Sequence, residues 1–134
     1  MLIKVTPDKE KAASILRMAD TTLQMIPTID AEKFTSNVIK EYYEVIRELT
    51  TIIVLLDGYK TQGEMAHKEL LEYLSSHHKD FSEQEVRFME ELRITRNKIA
   101  YDGFFVPFSY FQRNKSLLLK IITALKKKIN GRLK

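Results

Sequence analysis

The sequence predicts an all-α fold, an antiparallel four-helix bundle with one additional short helix. Apolar residues recur at spacings of three and four in five separate segments, the period of a buried helix face. Proline, glycine and capping residues punctuate the chain between those segments, and no segment reads as a strand. With 134 residues, the chain is long enough for one core and one domain, spanning 1–134.

The first helix opens at Thr6-Pro7-Asp8: Thr6 as the cap, Pro7 at the first helical position, Asp8 at the positive end of the dipole. Ala12, Ile15, Leu16, Ala19 and Leu23 form its inner face, and Pro27 ends it. Asp30 caps a long second helix that runs to Leu56, with Phe34, Val38, Tyr42, Ile46, Leu49, Ile53 and Leu56 inward. At 1.5 Å per residue it would be about 40 Å long and set the height of the bundle. Gly58 is its left-handed stop. A short helix after the Tyr59–Gly63 connection carries His67, Leu70, Leu71 and Leu74. The fourth helix starts at a capping box, Ser82 with Glu85, stapled by Phe81 onto Val86, and closes at Asp102-Gly103. Phe104-Phe105-Val106-Pro107 is expected to cover one end of the bundle. The last helix, 109–130, turns Leu117, Leu118, Ile121, Ile122, Leu125 and Ile129 inward and stops at Gly131.

Charge is unevenly distributed. The formal net charge is +4, yet no acidic residue follows Asp102. Eight of the 22 basic residues lie beyond it, leaving residues 1–102 with 14 basic against 18 acidic. The last helix is a cationic element on an acidic body. It reads either as a solvated helix end satisfying its dipole or as a contact surface for phosphate backbones. Lys126, Lys127 and Lys128 span about 200° of helix, so they cannot all be buried and must largely face solvent.

Several chemistries find no residues to carry them. Cysteine is absent, which excludes disulfides and thiolate metal sites. His67, His77 and His78 form no i, i+3 or i, i+4 pair, so no metal site is expected, and His67 reads as a hydrogen-bonded packing histidine. No nucleophile elbow or phosphate-binding loop is present, and no cofactor is expected. The N-terminus lacks a secretory signal, and Ile52-Ile53-Val54-Leu55-Leu56 is too short to span a bilayer. The expectation is a cytoplasmic protein without membrane contact.

The stretch Arg93–Gly103 has the most chemical content. With Phe88 set at zero on a helical wheel, Leu92, Thr95, Ile99 and Met89 make one apolar stripe, Arg96 falls at about 80° inside it, and Arg93 falls at about 140° on its edge. A guanidinium on an apolar face stays charged and needs a partner, a wet cleft or an interface. Tyr101 reads as a bundle cap, as a stacking platform for a base, or as a positioning hydroxyl. Phe104, Phe105, Phe108, Tyr110 and Phe111 form either a satellite core or a surface buried by assembly.

The run Arg96-Asn97-Lys98-Ile99-Ala100-Tyr101 resembles the Arg-Asn-x-apolar-x-His signature of the HEPN superfamily. Leu55-Leu56-Asp57-Gly58-Tyr59, then Gly63-Glu64-Met65-Ala66-His67, resembles its long second helix ending at glycine and a histidine opening a short third helix. The resemblance covers roughly residues 7–129. It implies a HEPN-like bundle that forms a homodimer, with paired motif residues across a cleft and metal-independent RNA cleavage in many members. It also implies RNA or a nucleotide as ligand, and an antitoxin or nucleotidyltransferase-like partner protein in a prokaryotic toxin–antitoxin or defence system. Here Tyr101 stands where the family has histidine. A tyrosine of ordinary pKa, about 10, is a poor base at neutral pH, so the expected endoribonuclease activity is weak or absent. Arg96, Asn97 and Tyr101 are the candidate catalytic residues; Arg93, Lys98, Lys126, Lys127 and Lys128 are the candidate nucleic-acid contacts. A non-catalytic helical module that binds a protein partner through its apolar end is the alternative.

Overall fold

A computed structural model describes residues 1–134. It contains five α-helices and one small two-stranded sheet, in the order β1 (Leu2–Lys4), α1 (Lys9–Met25), α2 (Thr35–Leu56), β2 (Tyr59–Thr61), α3 (Ala66–His77), α4 (Glu83–Asp102) and α5 (Phe108–Leu133). The fold is all-α apart from that sheet, with α3 the short helix. No helix is long and apolar enough to cross a membrane.

α2 is the central helix. It packs against α1, α3, α4 and α5. That surrounds it with apolar neighbours, so Ile39, Tyr43, Val45, Ile52 and Val54 are buried in addition to the face at spacings of three and four. A helix apolar on most sides is the expected centre of a bundle. It spans 22 residues, about 33 Å, because the segment after Asp30 first makes a turn. The Asp30 side chain accepts from the N–H groups of Glu32 and Lys33 and caps that turn, leaving Phe34 at the helix start and exposed.

Other boundaries also differ from the sequence reading. Asp8, rather than Thr6, caps α1 by accepting from the Lys11 N–H, so Pro7 lies outside the helix. α5 runs through Gly131, because Arg132, the next residue, donates to Asp57 and to the Leu56 carbonyl and holds the helix on. Glycine costs a helix little near its end. The Ser82–Glu85 capping box is present, and Gly103 ends α4 at φ 65°, in the left-handed region.

The strand pair is absent from the sequence reading. β1 and β2 pair antiparallel, with Leu2 opposite Thr61 and Lys4 opposite Tyr59. Three residues a side leave no periodicity to read, and the pairing joins positions far apart in sequence. Gly58 makes it fit. Its φ is +93°, its carbonyl accepts from the Val5 N–H at 2.8 Å, and a Cβ there would stand 3.4 Å from the Val5 carbonyl. Gly58→Ala should therefore cost about 1–2 kcal/mol, seen as a lower midpoint in a denaturant melt.

One polar node ties the far end together. Asp57 accepts from Tyr73 Oη at 2.9 Å, His78 Nε2 at 2.7 Å and Arg132 at 2.7 Å, linking α2, α3 and α5. His77 stacks on Tyr73, with ring centroids 4.1 Å apart. At the opposite end, Val106 is buried, and its N–H donates to Ser36 Oγ. Phe104 and Phe105 do not cover the bundle there. Both rings are exposed, Phe105 at 87%.

Candidate nucleic-acid interface

α4 is fixed at both ends by its cap and its glycine, and it buries Phe88, Met89 and Leu92 against the core. The same stripe carries Arg96, half-buried, while Arg93 sits at its edge. Arg93 is clamped: Nε donates to Glu90 Oε2 at 2.9 Å and Nη2 to Oε1 at 2.6 Å. That fork holds the Glu90 carboxyl below its ordinary range. On α2, Arg47 is held in the same way, with Nε and Nη2 donating to Glu44 Oε2 at 3.1 and 2.7 Å. Arg96 is different. Its one hydrogen bond goes to Asn97 Oδ1 at a long 3.4 Å, and no carboxylate pairs with it. Most of its donors remain available.

The charges of these three arginines all reach Tyr43 and His67. Burial pushes the Tyr43 hydroxyl up to about 12, although the charges of Arg93, Arg47 and Arg96 act in the opposite direction. Tyr43 therefore stays protonated. Burial also lowers the pKa of His67, at the start of α3, and the charges of Arg47, Arg96 and Arg93 lower it further. His67 is neutral at pH 7. It is exposed, makes no hydrogen bond and lies 6.4 Å, ring to ring, from Tyr43. It is not the hydrogen-bonded packing histidine that its stripe predicts. A neutral imidazole and three guanidiniums, two of them held by carboxylates and the third free, make an anion-attracting surface beside the buried Tyr43.

The structure brings together Arg93, Arg96 and Asn97 from the sequence candidates. Tyr101 is not with them. It lies about 140° further round the helix than Arg96, is 78% exposed and makes no hydrogen bond. Lys98 is about 200° round from Arg96 and faces solvent. The lysines of α5 are at the other end of the bundle. Lys128 sits against Asp80 and Phe81, before α4 begins, on the order of 20 Å along the axis from Arg96. Two of the three are committed within the chain: Lys126 pairs with Asp20 at 2.7 Å and Lys128 with Asp80 at 3.1 Å. Replacing all three with glutamine should lower Tm by a few degrees, since exposed pairs contribute about 0–1 kcal/mol each. Lys127→Gln alone should leave Tm unchanged, because Lys127 has no ion pair.

Arg47 and His67 belong to this surface, beside the buried Tyr43, and were not singled out as site residues in the sequence. Tyr43 and Arg47 are four apart on α2, hence on one face, and that spacing was the available signal. No three His, Asp or Glu side chains are placed to hold a metal ion. Comparison with protein-family models, curated proteins and solved structures gives no match.

Proposed function

We propose that this chain is an RNA- or nucleotide-binding, HEPN-like protein of a prokaryotic toxin–antitoxin or defence system, acting as a homodimer with a degenerate endoribonuclease site. The observation that carries this reading is an Arg96 on the packed stripe of α4 with no carboxylate partner, whose charge, with those of Arg47 and Arg93, reaches His67 and Tyr43. The motif that resembles the family signature supplies Arg96 and Asn97, and the order of helices fits the family's bundle. Tyr101 points away from the arginines, which favours binding over cleavage. A salt titration of binding to a single-stranded RNA tests the reading. Affinity should fall steeply with salt, by about 0.7 in log–log slope for each phosphate neutralised. Salt-insensitive binding, or none, would remove it.

The second reading, a helical module that binds a protein, has its own observation. Phe34, Tyr101, Phe104 and Phe105 are exposed aromatics at the α2 start, and at the end of α4 with the connection that follows it. Ser36 Oγ, which donates to the Phe104 carbonyl, ties those two segments together. Exposed apolar groups of this kind mark interaction surfaces. Phe105→Asp should leave the fold intact, because the ring touches little. If this end forms the dimer, sedimentation at tens of micromolar should show a dimer for the unmodified chain and a monomer for the variant. An unmodified chain that sediments as a monomer would count against the homodimer.

A further inference from the structure

We propose that a second cleft, between α1, α2, β2 and α3, binds a phosphomonoester carried on a small organic body, of the size of a nucleoside monophosphate. The cleft has a volume of about 190 Å³. At roughly 10–15 Å³ per water it holds about a dozen waters, the space of one nucleotide and not of a run of them. Lys11, Arg47, Lys60 and His67 line it, and no carboxylate does. Leu55 and Leu70 give it an apolar floor, and Tyr59 adds an aromatic side.

Each cation comes from a different element and is positioned by that element. Lys60 sits in β2, whose pairing with β1 fixes its register opposite Ile3. Lys11 is in the first turn of α1, where its N–H donates to the Asp8 cap. Arg47 is held by Glu44 through Nε and Nη2, which leaves Nη1 free. Neither lysine is in an ion pair. Two lysines without counter-ions, together with the free Nη1 of Arg47, line one concave surface and focus positive potential into it. A dianionic phosphate is the group that such a rim neutralises, and the apolar floor suits the body that carries it. The cleft adjoins the Arg96 surface through Arg47 and His67, but neither Arg93 nor Arg96 lines it.

The same phosphate chemistry is offered by a free nucleotide or by the 5′ end of an RNA. Calorimetric titration of the full chain at low salt, with AMP and with matched oligoribonucleotides bearing a 5′-phosphate or a 5′-hydroxyl, separates them. The comparison protein is Lys11→Gln/Lys60→Gln, whose fold should be unchanged because neither side chain holds a partner. For a free-nucleotide site, AMP binds and the double variant weakens it at least tenfold. For an RNA end, the 5′-phosphate tightens binding about tenfold over the hydroxyl, and the double variant erases that gain. Arg96→Ala should change AMP binding less than twofold. The proposal is overturned if neither AMP nor the 5′-phosphate distinguishes the two proteins. It is also overturned if AMP binding is lost in Arg96→Ala and kept in the lysine variant. AMP binding that depends on the lysines, alongside RNA binding indifferent to Arg96, would instead sink only the reading of the arginine surface.

Discussion

Asp57→Ala should destabilise the protein by about 2–4 kcal/mol, a drop in Tm on the order of 10 °C for a domain of this size. Asp57 is mostly buried and accepts from three side chains, Tyr73, His78 and Arg132. Its removal leaves a buried phenol and a largely buried imidazole without a partner and takes away one of the two ties that hold Arg132 of α5. Asp57→Asn keeps the shape and one acceptor oxygen, so it should lose about half as much. The effect has a defined pH window. Burial would raise the Asp57 pKa, but the hydrogen bonds from Arg132, His78 and Tyr73 outweigh it and hold the carboxyl below its ordinary value. A carboxylate depressed on folding contributes fully above its unfolded pKa, about 3.9, and loses that contribution as pH falls through the folded value. The gap between wild type and Asp57→Ala that comes from this carboxylate should therefore close as pH falls below the ordinary carboxylate range. A variant within two degrees of wild type at pH 7 would show the node to be solvated and without weight in the fold.

Arg96→Ala should weaken RNA binding at least tenfold and leave Tm nearly unchanged. Arg96 has one long hydrogen bond and no ion pair, so little of the fold depends on it. Its free donors are those a phosphate would take, whereas the donors of Arg93 and Arg47 are already partly engaged by Glu90 and Glu44. The salt slope should fall by about 0.7 if one phosphate contact is lost. Arg96→Lys should recover only part of the affinity, because an ammonium keeps the charge but not the fork. Tyr101→Phe should bind as wild type does, since that hydroxyl faces solvent away from the arginines. A loss with Tyr101→Phe equal to that with Arg96→Ala would mean that the helix end, not the arginine cluster, is the contact.

The helices were legible because each signal that sets them is local. The Ser82–Glu85 box, the left-handed Gly58 and Gly103, and the spacing of Leu70, Leu71 and Leu74 act within a turn or two of chain. The β1–β2 pair was not, since it joins residues 2–4 to 59–61 through backbone bonds that leave no side-chain pattern. The site was half legible. Arg96 stood out as a charge on an apolar stripe of its own helix. Arg47 and His67 reach the same surface only when α2 and α3 pack beside α4, and Asp57 gathers Tyr73, His78 and Arg132 only through the fold. Lys126 and Lys128 looked free on a helical wheel because their partners, Asp20 and Asp80, lie on other segments.

Chemical-shift mapping with a short single-stranded RNA reads the arginine surface directly. Perturbations should centre on Arg47, His67, Arg93 and Arg96, and should spare the Lys126–Lys128 turn at the far end of the bundle. No perturbation at millimolar RNA, or one confined to Phe34, Tyr101, Phe104 and Phe105, would contradict an RNA-binding role for these arginines.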